Sequence, residues 1–268
     1  MKTTTQTFQL TPAAAETYEA AFVPAFFAQW VPPLLDLAGV GPGQRILDVA
    51  CGTGIVARLA ADRAGDGAVT GLDLNPAMLD VARRVRPGIT WCQGDAVELP
   101  FPDGSFDAVL CQMALMFVPD PERAVAEMVR VAAPGGTVGI DVPAALADQE
   151  AFAPFVAMAA GHVGPAAADL LTAYFRCGDV ERLDSFLRGA GLADLTVRTV
   201  TGRYRFPSVD AAVTTEVEST PLVERLDAAT YARIRAGAHE VWRSFLTATG
   251  ELDAPFATHL VVARKPAG

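Results

Sequence analysis

Short apolar runs alternate with amphipathic stretches through the first half of this chain. Ile46-Leu47-Asp48-Val49-Ala50 is an apolar run broken by one carboxylate, and it enters the glycine turn Cys51-Gly52-Thr53-Gly54. Helical spacing follows over residues 55–63, then strand character at 68–73. Asn75-Pro76 is a cap followed by a proline suited to the first helical position, and it predicts a helix to about residue 86. Further strands are expected at 89–93, 106–111 and 138–142. A helix is expected at 121–131, and Pro134-Gly135-Gly136 reads as the turn into the strand that follows it. Strands alternating with amphipathic helices require right-handed crossovers, so the expectation is a doubly wound α/β core with a mainly parallel sheet.

The flanks follow other patterns. Residues 11–37 read as helical, with Thr11 as cap and Pro12 at the first position, and with Pro24, Pro32 and Pro33 dividing the stretch. Its aromatics are Tyr18, Phe22, Phe26, Phe27 and Trp30, and Gly41-Pro42-Gly43 makes the turn into the first strand. Residues 145–176 are Ala-rich and helical in character, with breaks near Gly161 and Gly164-Pro165, and Asp179 caps a helix that should end at Gly191. Strands are expected at 195–206 and 256–264. Between them Tyr231, Ile234, Ala238, Val241 and Phe245 recur at offsets of three and four, an apolar helix face expected to pack on the body. The organisation read from this is a helical cap (1–40), a core (41–142), a helical insertion with its connecting helix (143–193), and closing strands around a helical lid (194–268). No internal repeat or low-complexity linker separates them.

Composition narrows the partners. A chain of 268 residues that is 51% hydrophobic can bury a large core. Its net charge of -10 disfavours both nucleic acid and an anionic membrane surface, which attract basic proteins. Cys51, Cys92, Cys111 and Cys177 lack paired metal-ligand spacing, and no histidine or carboxylate pair supplies it, so no metal is expected. Reduced thiols, the absence of a signal-like apolar segment near the start, and the absence of any membrane-length run point to a cytoplasmic protein.

The glycine turn carries the chemistry. Gly52 and Gly54 permit close backbone approach and positive φ, and the helix that follows presents free N–H groups. Gly52-Thr53-Gly54-Ile55-Val56-Ala57 even satisfies the dinucleotide pattern, and Asp73 at the end of the second strand suits paired ribose hydroxyls. A nicotinamide-dependent oxidoreductase and other nucleoside cofactors remain open at this point.

Further segments separate them. Gly94-Asp95-Ala96 follows the third strand, then Leu99-Pro100-Phe101-Pro102-Asp103 and Ser105-Phe106-Asp107-Ala108-Val109. Cys111-Gln112-Met113-Ala114 ends the fourth strand, and Val131-Ala132-Ala133-Pro134-Gly135-Gly136 comes later. In order and spacing, this set resembles the class I S-adenosylmethionine-dependent methyltransferases, particularly the group containing the ubiquinone/menaquinone biosynthesis enzymes. The resemblance is strongest over residues 40–142. It implies a Rossmann-like, doubly wound seven-stranded sheet with a helical cap and insertions, and S-adenosylmethionine as cofactor, with S-adenosylhomocysteine as product.

Carried over residue by residue, the resemblance places the methionine end of the cofactor at Asp48 and at Ala50, Cys51, Gly52, Thr53 and Gly54. Asp48 would organise the turn and help hold the ammonium, or serve only as a structural acceptor for the turn's amides. Asp73 would take the ribose, Leu74 and Met78 the adenine face, and Gly94, Asp95 and Ala96 the adenine edge. Cys111, Gln112 and Met113 would line the wall near the sulfonium. Ala50 departs from the glycine more usual there, and Cys51 is expected to line the site and not to act as a nucleophile. Tyr18, Phe27 and Trp30 would either close over the sulfonium or pack as an ordinary amphipathic helix.

The sulfonium is an activated leaving group, so transfer needs chiefly in-line placement and exclusion of water, with a base only for an acceptor that is not already nucleophilic. The acceptor pocket is expected between the cap, residues 113–117 and the insertion after Val142. Phe117, Tyr174 and Arg176 are candidate contacts there, and His162 is a candidate base or else a surface histidine. His239 and His259 are not favoured. The expected acceptor is a small aromatic, quinone-like or polyketide-like molecule methylated on O, N or C. A cofactor-binding protein without methyl transfer is the other alternative, and monomer and homodimer are not distinguished.

Overall fold

The computed structural model describes residues 10–218, 220, 222 and 225–267, the side chain of 166 excepted. Residues 1–9 of the expected cap lie outside the described residues. Seven strands form one sheet in the order β3-β2-β1-β4-β5-β7-β6. They are β1 (Ile46–Val49), β2 (Val69–Asp73), β3 (Thr90–Gln93), β4 (Phe106–Gln112), β5 (Ala132–Pro143), β6 (Leu195–Phe206) and β7 (Leu252–Arg264). β1 to β5 pair in parallel, and β7 runs antiparallel between β5 and β6. Strand order reverses at β1, between β2 and β4, which opens a crevice at the carboxyl ends of these strands.

Both faces of the parallel part are covered, which explains why its strands read as nearly continuous apolar runs. Ile46, Ala108 and Leu110 face α3 (Val31–Ala38) and α4 (Ile55–Ala64). Leu47, Val109 and Ile140 face the opposite cluster, which includes Val125 and Met128 of α6 (Pro121–Val131) and Leu183 of α9 (Val180–Gly189). α5 (Pro76–Val85) begins as expected, with Asn75 Oδ1 accepting from the Ala77 amide at 2.9 Å. Asp120 and Asp179 cap α6 and α9 in the same way.

Pro134-Gly135-Gly136 differs from its expected role. β5 begins earlier, at Ala132, and the three residues form an irregularity inside it, because Phe106 pairs with Ala132 while Ala108 pairs with Thr137. A side chain at Gly136 would collide with the carbonyls of Ala133 and Asp107, so glycine permits the bulge.

The N-terminal stretch is divided, as its prolines require. α1 (Pro12–Thr17) runs into a π-helical turn at Tyr18–Phe22, closed by the Val23 amide on the Tyr18 carbonyl. α2 (Val23–Ala25), a 3-10 turn at Phe27–Trp30 and α3 follow. Beyond the core lie α7 (Phe152–Ala160), α8 (Pro165–Ala173), α10 (Val209–Glu218) and α11 (Ala228–Val241). α10 carried no clear periodicity in the sequence. α11 packs on α7, where Gly237 leaves room for Met158, and Ile234 and Ala238 are its buried residues among the five expected on that face. No single described helix is long and apolar enough to cross a membrane.

Candidate cofactor site

Asp48 accepts the Ala57 amide at 2.9 Å on Oδ2, so the carboxylate inside β1 caps the first turn of α4. This supplies a physical reason for an acid in a core strand: it satisfies a helix-terminal amide that the glycine turn, with no side chain, leaves open. Burial pushes the Asp48 carboxyl up to about 8, partly offset by the Ala57 bond.

Asp73 holds the other side of the turn. Its Oδ2 accepts from the Gly52 amide at 2.7 Å and its Oδ1 from the Asn75 amide at 2.8 Å. The Cys51 amide donates to the Leu72 carbonyl at 2.9 Å, so the turn is anchored to the end of β2 by both backbone and side chain. Burial raises the Asp73 carboxyl above its usual range, although the backbone amides of Asn75, Gly52 and Leu74 pull it down.

The two turn glycines serve different ends. Gly52 (φ 55°) faces an open pocket, where an added Cβ would come no closer than 3.9 Å to the Tyr18 ring. Gly54 (φ 89°) faces the interior, where an added Cβ would strike the Trp91 indole, whose Nε1 donates to the Arg86 carbonyl at 3.0 Å. Ala50 (φ 55°) and Met113 (φ 51°) are the two non-glycine residues with positive φ among those described, and both line the pocket. Left-handed alanine and methionine are disfavoured by about 1 kcal/mol or more, so strain is concentrated where the chain bends around this space.

The pocket is a cleft that is partly open to solvent. Residues expected at the cofactor that line it are Tyr18, Phe27, Ala50, Gly52, Asp73, Leu74, Met78, Gly94, Asp95, Ala96 and Met113. Phe117 and Tyr174, expected at the acceptor, line it too. Ala114, within the segment 113–117 expected at the acceptor, lines it as well, and Leu72, Asn75, Val118 and Pro119 complete the wall without having been singled out from the sequence. Asn75 registered there only as a helix cap, yet its Nδ2 also donates to the Leu10 carbonyl at 3.0 Å and ties the N-terminal segment across the site.

Aromatic packing and ion pairs fix that segment in place. Tyr18 and Phe27 have ring centroids 5.0 Å apart, and the half-buried Glu19–Arg58 pair joins the π turn to α4 at 2.7 Å. The Gln112 amide reaches from β4 to the Phe27 carbonyl at 3.1 Å. Opposite, Asp95 Oδ1 accepts from the Val97 amide at 3.1 Å, and the buried Glu127 accepts from the Leu99 amide at 2.9 Å. Arg130 bonds the Leu99 and Phe101 carbonyls and Glu127 together, which rigidifies the loop after β3.

Other expected residues stand away from the pocket wall. Trp30 is 1% exposed and packs over β6 at Gly202 and against Phe26 and Phe256, so its ring belongs to the core. Thr53 and Cys111 are buried, and Gln112 acts through the cap segment and not on the pocket. Cys51 is buried beneath the turn. Desolvation and the nearby Asp48 and Asp73 push its thiol well up, a protonated and unreactive state. His162 is exposed at the end of α7, and Arg176 is exposed with its guanidinium 3.4 Å from the Asp169 carbonyl. Neither lines the pocket.

The residues present fit a methylated adenosyl cofactor. The lining offers carboxylates as acceptors for hydroxyl or amino groups (Asp73, Asp95), apolar side chains that suit a flat base (Leu74, Met78, Ala96), and aromatic rings (Tyr18, Phe27). Comparison with known proteins agrees. Residues 47–140 match the family model described as "Methyltransferase domain". A 108-residue stretch is 47% identical to the demethylmenaquinone methyltransferase of Renibacterium salmoninarum, covering 40% of this chain and 45% of that protein. The chain thus spans under half the length of this relative. Among solved structures, a putative methyltransferase from Bacillus halodurans superposes with a TM-score of 0.57 at 22% identity, over 88% of this chain and 98% of that one. Phosphoethanolamine N-methyltransferase 2 of Haemonchus contortus, in complex with S-adenosyl-L-methionine, superposes with a TM-score of 0.62 at 22% identity, over 96% of this chain and 57% of that one. Residues 47–140 are therefore similar to a methyltransferase domain, and the motifs within them resemble the class I S-adenosylmethionine-dependent group.

Proposed function

We propose that this chain transfers a methyl group from S-adenosylmethionine to O, N or C of a small aromatic, quinone-like or polyketide-like acceptor. The observation that carries the reading is the convergence of the turn after β1, Asp73, the loop after β3 and Met113 on one open pocket at the carboxyl ends of the strands. When bound, the cofactor supplies an activated methyl group. Asp73 would accept from the ribose hydroxyls while it continues to hold the Gly52 and Asn75 amides, and Asp95 would accept from the adenine amino group. Asp48 would act through the turn it caps. Tyr18 and Phe27 would exclude water from the transferring end, and their ring faces favour positive charge. Phe117, Val118 and Tyr174 would orient the acceptor in line. The quinone-like option gains support from the name of the Renibacterium relative, and the acceptor class otherwise rests on the apolar walls of the pocket.

Incubation with metabolite extract and isotopically labelled methyl donor, read by mass spectrometry, tests the reading. Labelled small-molecule product supports it. Thermal stabilisation by NADH, without stabilisation by S-adenosylmethionine or S-adenosylhomocysteine, would favour an oxidoreductase. Tight cofactor binding with no labelled product from any extract would favour a cofactor-binding protein that does not transfer methyl groups.

A further inference from the structure

A second cavity lies behind the transferring end of the pocket. It is smaller than the first and partly open, and Tyr174 lines both chambers. Phe27 on the first side and Phe22 on the second, 4.8 Å apart by ring centroid, belong to the same partition. Phe117 meets Tyr174 edge-on from the first side at 5.0 Å. The far walls are mostly rings, among them Phe26, Phe152, Phe175 and Phe256. One carboxyl faces this apolar space: Glu216, from the last turns of α10.

Packing alone gives no reason for that acid. Its side-chain hydrogen bond is a long one, 3.4 Å from the Tyr204 hydroxyl, which also lies 3.5 Å from the Ala212 carbonyl. A carboxylate has about four acceptor positions, and one long bond leaves capacity for a ligand. An acid retained among rings is a costly group that an apolar residue of similar size would replace without loss. Burial pushes this carboxyl up to about 7, so it titrates near neutrality.

We propose that this cavity receives one end of the methyl acceptor, a neutral ring carrying a hydroxyl whose O–H donates to Glu216, while the other end passes Tyr174 to the cofactor. The identity of the occupant as acceptor rests on the methyl-transfer reading above. A neutral hydroxyl suits the site better than an ammonium, because an ammonium would itself have to be desolvated among rings opposite an acid that is only partly ionised. The groups facing Glu216 from neighbouring elements are the phenols of Tyr204 on β6 and Tyr174 after α8. On the α11 side, Tyr231 bonds Thr214, and Arg235 and His239 bond Asp210, on other turns of α10. From the N-terminal segment, Glu19 pairs with Arg58.

The test is a 19F NMR titration of the full chain, without cofactor, using 4-fluorophenol, fluorobenzene and 4-fluorobenzylamine at pH 6 and pH 8.5. A phenol stays protonated through this range, since its pKa lies near about 10. At pH 8.5 the phenol should bind about tenfold or more tighter than fluorobenzene, as a hydrogen bond to a carboxylate requires, and the preference should shrink at pH 6. Glu216→Leu should abolish the preference and leave fluorobenzene binding in place. Glu216→Gln, the isosteric control for folding, should keep a weaker preference that no longer depends on pH. Equal binding of phenol and fluorobenzene to the wild type, a preference surviving in Glu216→Leu, or tighter binding of the benzylamine would each overturn the proposal. Calorimetry with S-adenosylhomocysteine on the same sample separates the two readings. Binding there without a phenol preference removes the second cavity alone, and a Glu216-dependent preference without such binding removes the methyl-transfer reading alone.

Discussion

Asp73→Ala removes a group that serves both the fold and the ligand, and the two effects separate in measurement. In the fold, the carboxylate accepts two backbone amides, Gly52 at 2.7 Å and Asn75 at 2.8 Å. Leaving a buried donor unpaired costs about 1–3 kcal/mol. Two such losses are opposed by removal of a carboxyl that burial already disfavours, since Asp73 titrates above its usual range. A net stability loss of about 1–3 kcal/mol follows. On the ligand side, two charge-assisted bonds to ribose hydroxyls, each about 1.5–3 kcal/mol, imply an affinity loss of at least about 100-fold. Urea denaturation measures the first and calorimetry with S-adenosylhomocysteine the second, at a temperature where the variant is folded. Affinity within threefold of wild type would refute the placement of the ribose at Asp73. An unchanged denaturation midpoint would refute its role in bracing the turn. Asp73→Asn, which keeps one acceptor but sets an amide donor against one of the two N–H groups, should fall between wild type and alanine in both assays.

Three further outcomes follow from the turn. With its carboxyl pushed up to about 8, Asp48 keeps its proton in the folded state over a range where the unfolded chain has lost it, from the ordinary carboxylate value of 3.8 upward. Stability therefore falls as pH rises from about 4 to about 8, by at most about 6 kcal/mol, and Asp48→Asn should flatten that slope; a wild-type-to-variant difference in urea midpoint that is equal at pH 5 and pH 8 would contradict this. Gly54→Ala should destabilise by about 3 kcal/mol, through left-handed strain and collision with Trp91. Pairing it with Trp91→Leu should recover the steric part but not the backbone part, as thermal denaturation of the double variant will show. Ala50→Gly should shift stability by less than about 1 kcal/mol, because relief of the left-handed alanine is offset by the larger entropy of an unfolded glycine, and a urea midpoint shift beyond that range would show that the Ala50 methyl makes packing contacts of its own.

The alternation of strand and helix was legible along residues 46–142 because both faces of a parallel sheet are buried and each crossover helix needs one apolar stripe. Pro134-Gly135-Gly136 looked like a turn and is a bulge, because its glycines serve pairing with β4, a partner some 30 residues earlier in the chain. α10 is not legible in the sequence because its buried residues, Val209, Ala212, Val213, Thr215 and Val217, follow no clean apolar spacing. Trp30 resembled its aromatic neighbours in sequence, and only the approach of β6 at Gly202 shows that it is packed into the core. His162 is the one histidine in the insertion, and it is exposed just past the end of α7.

By itself the sequence determined the α/β core, the glycine turn, and the acids and motif segments that mark a methyl-donor site, since each depends on local spacing and residue chemistry. Only the tertiary structure decided that Gly52 faces the pocket while Gly54 faces Trp91, that Asp48 caps α4, and that Glu216 meets a ring-lined cavity behind Tyr174. Those relations join residues from nine to more than a hundred positions apart or depend on which way a backbone turns, and neither composition nor periodicity encodes contacts of that kind.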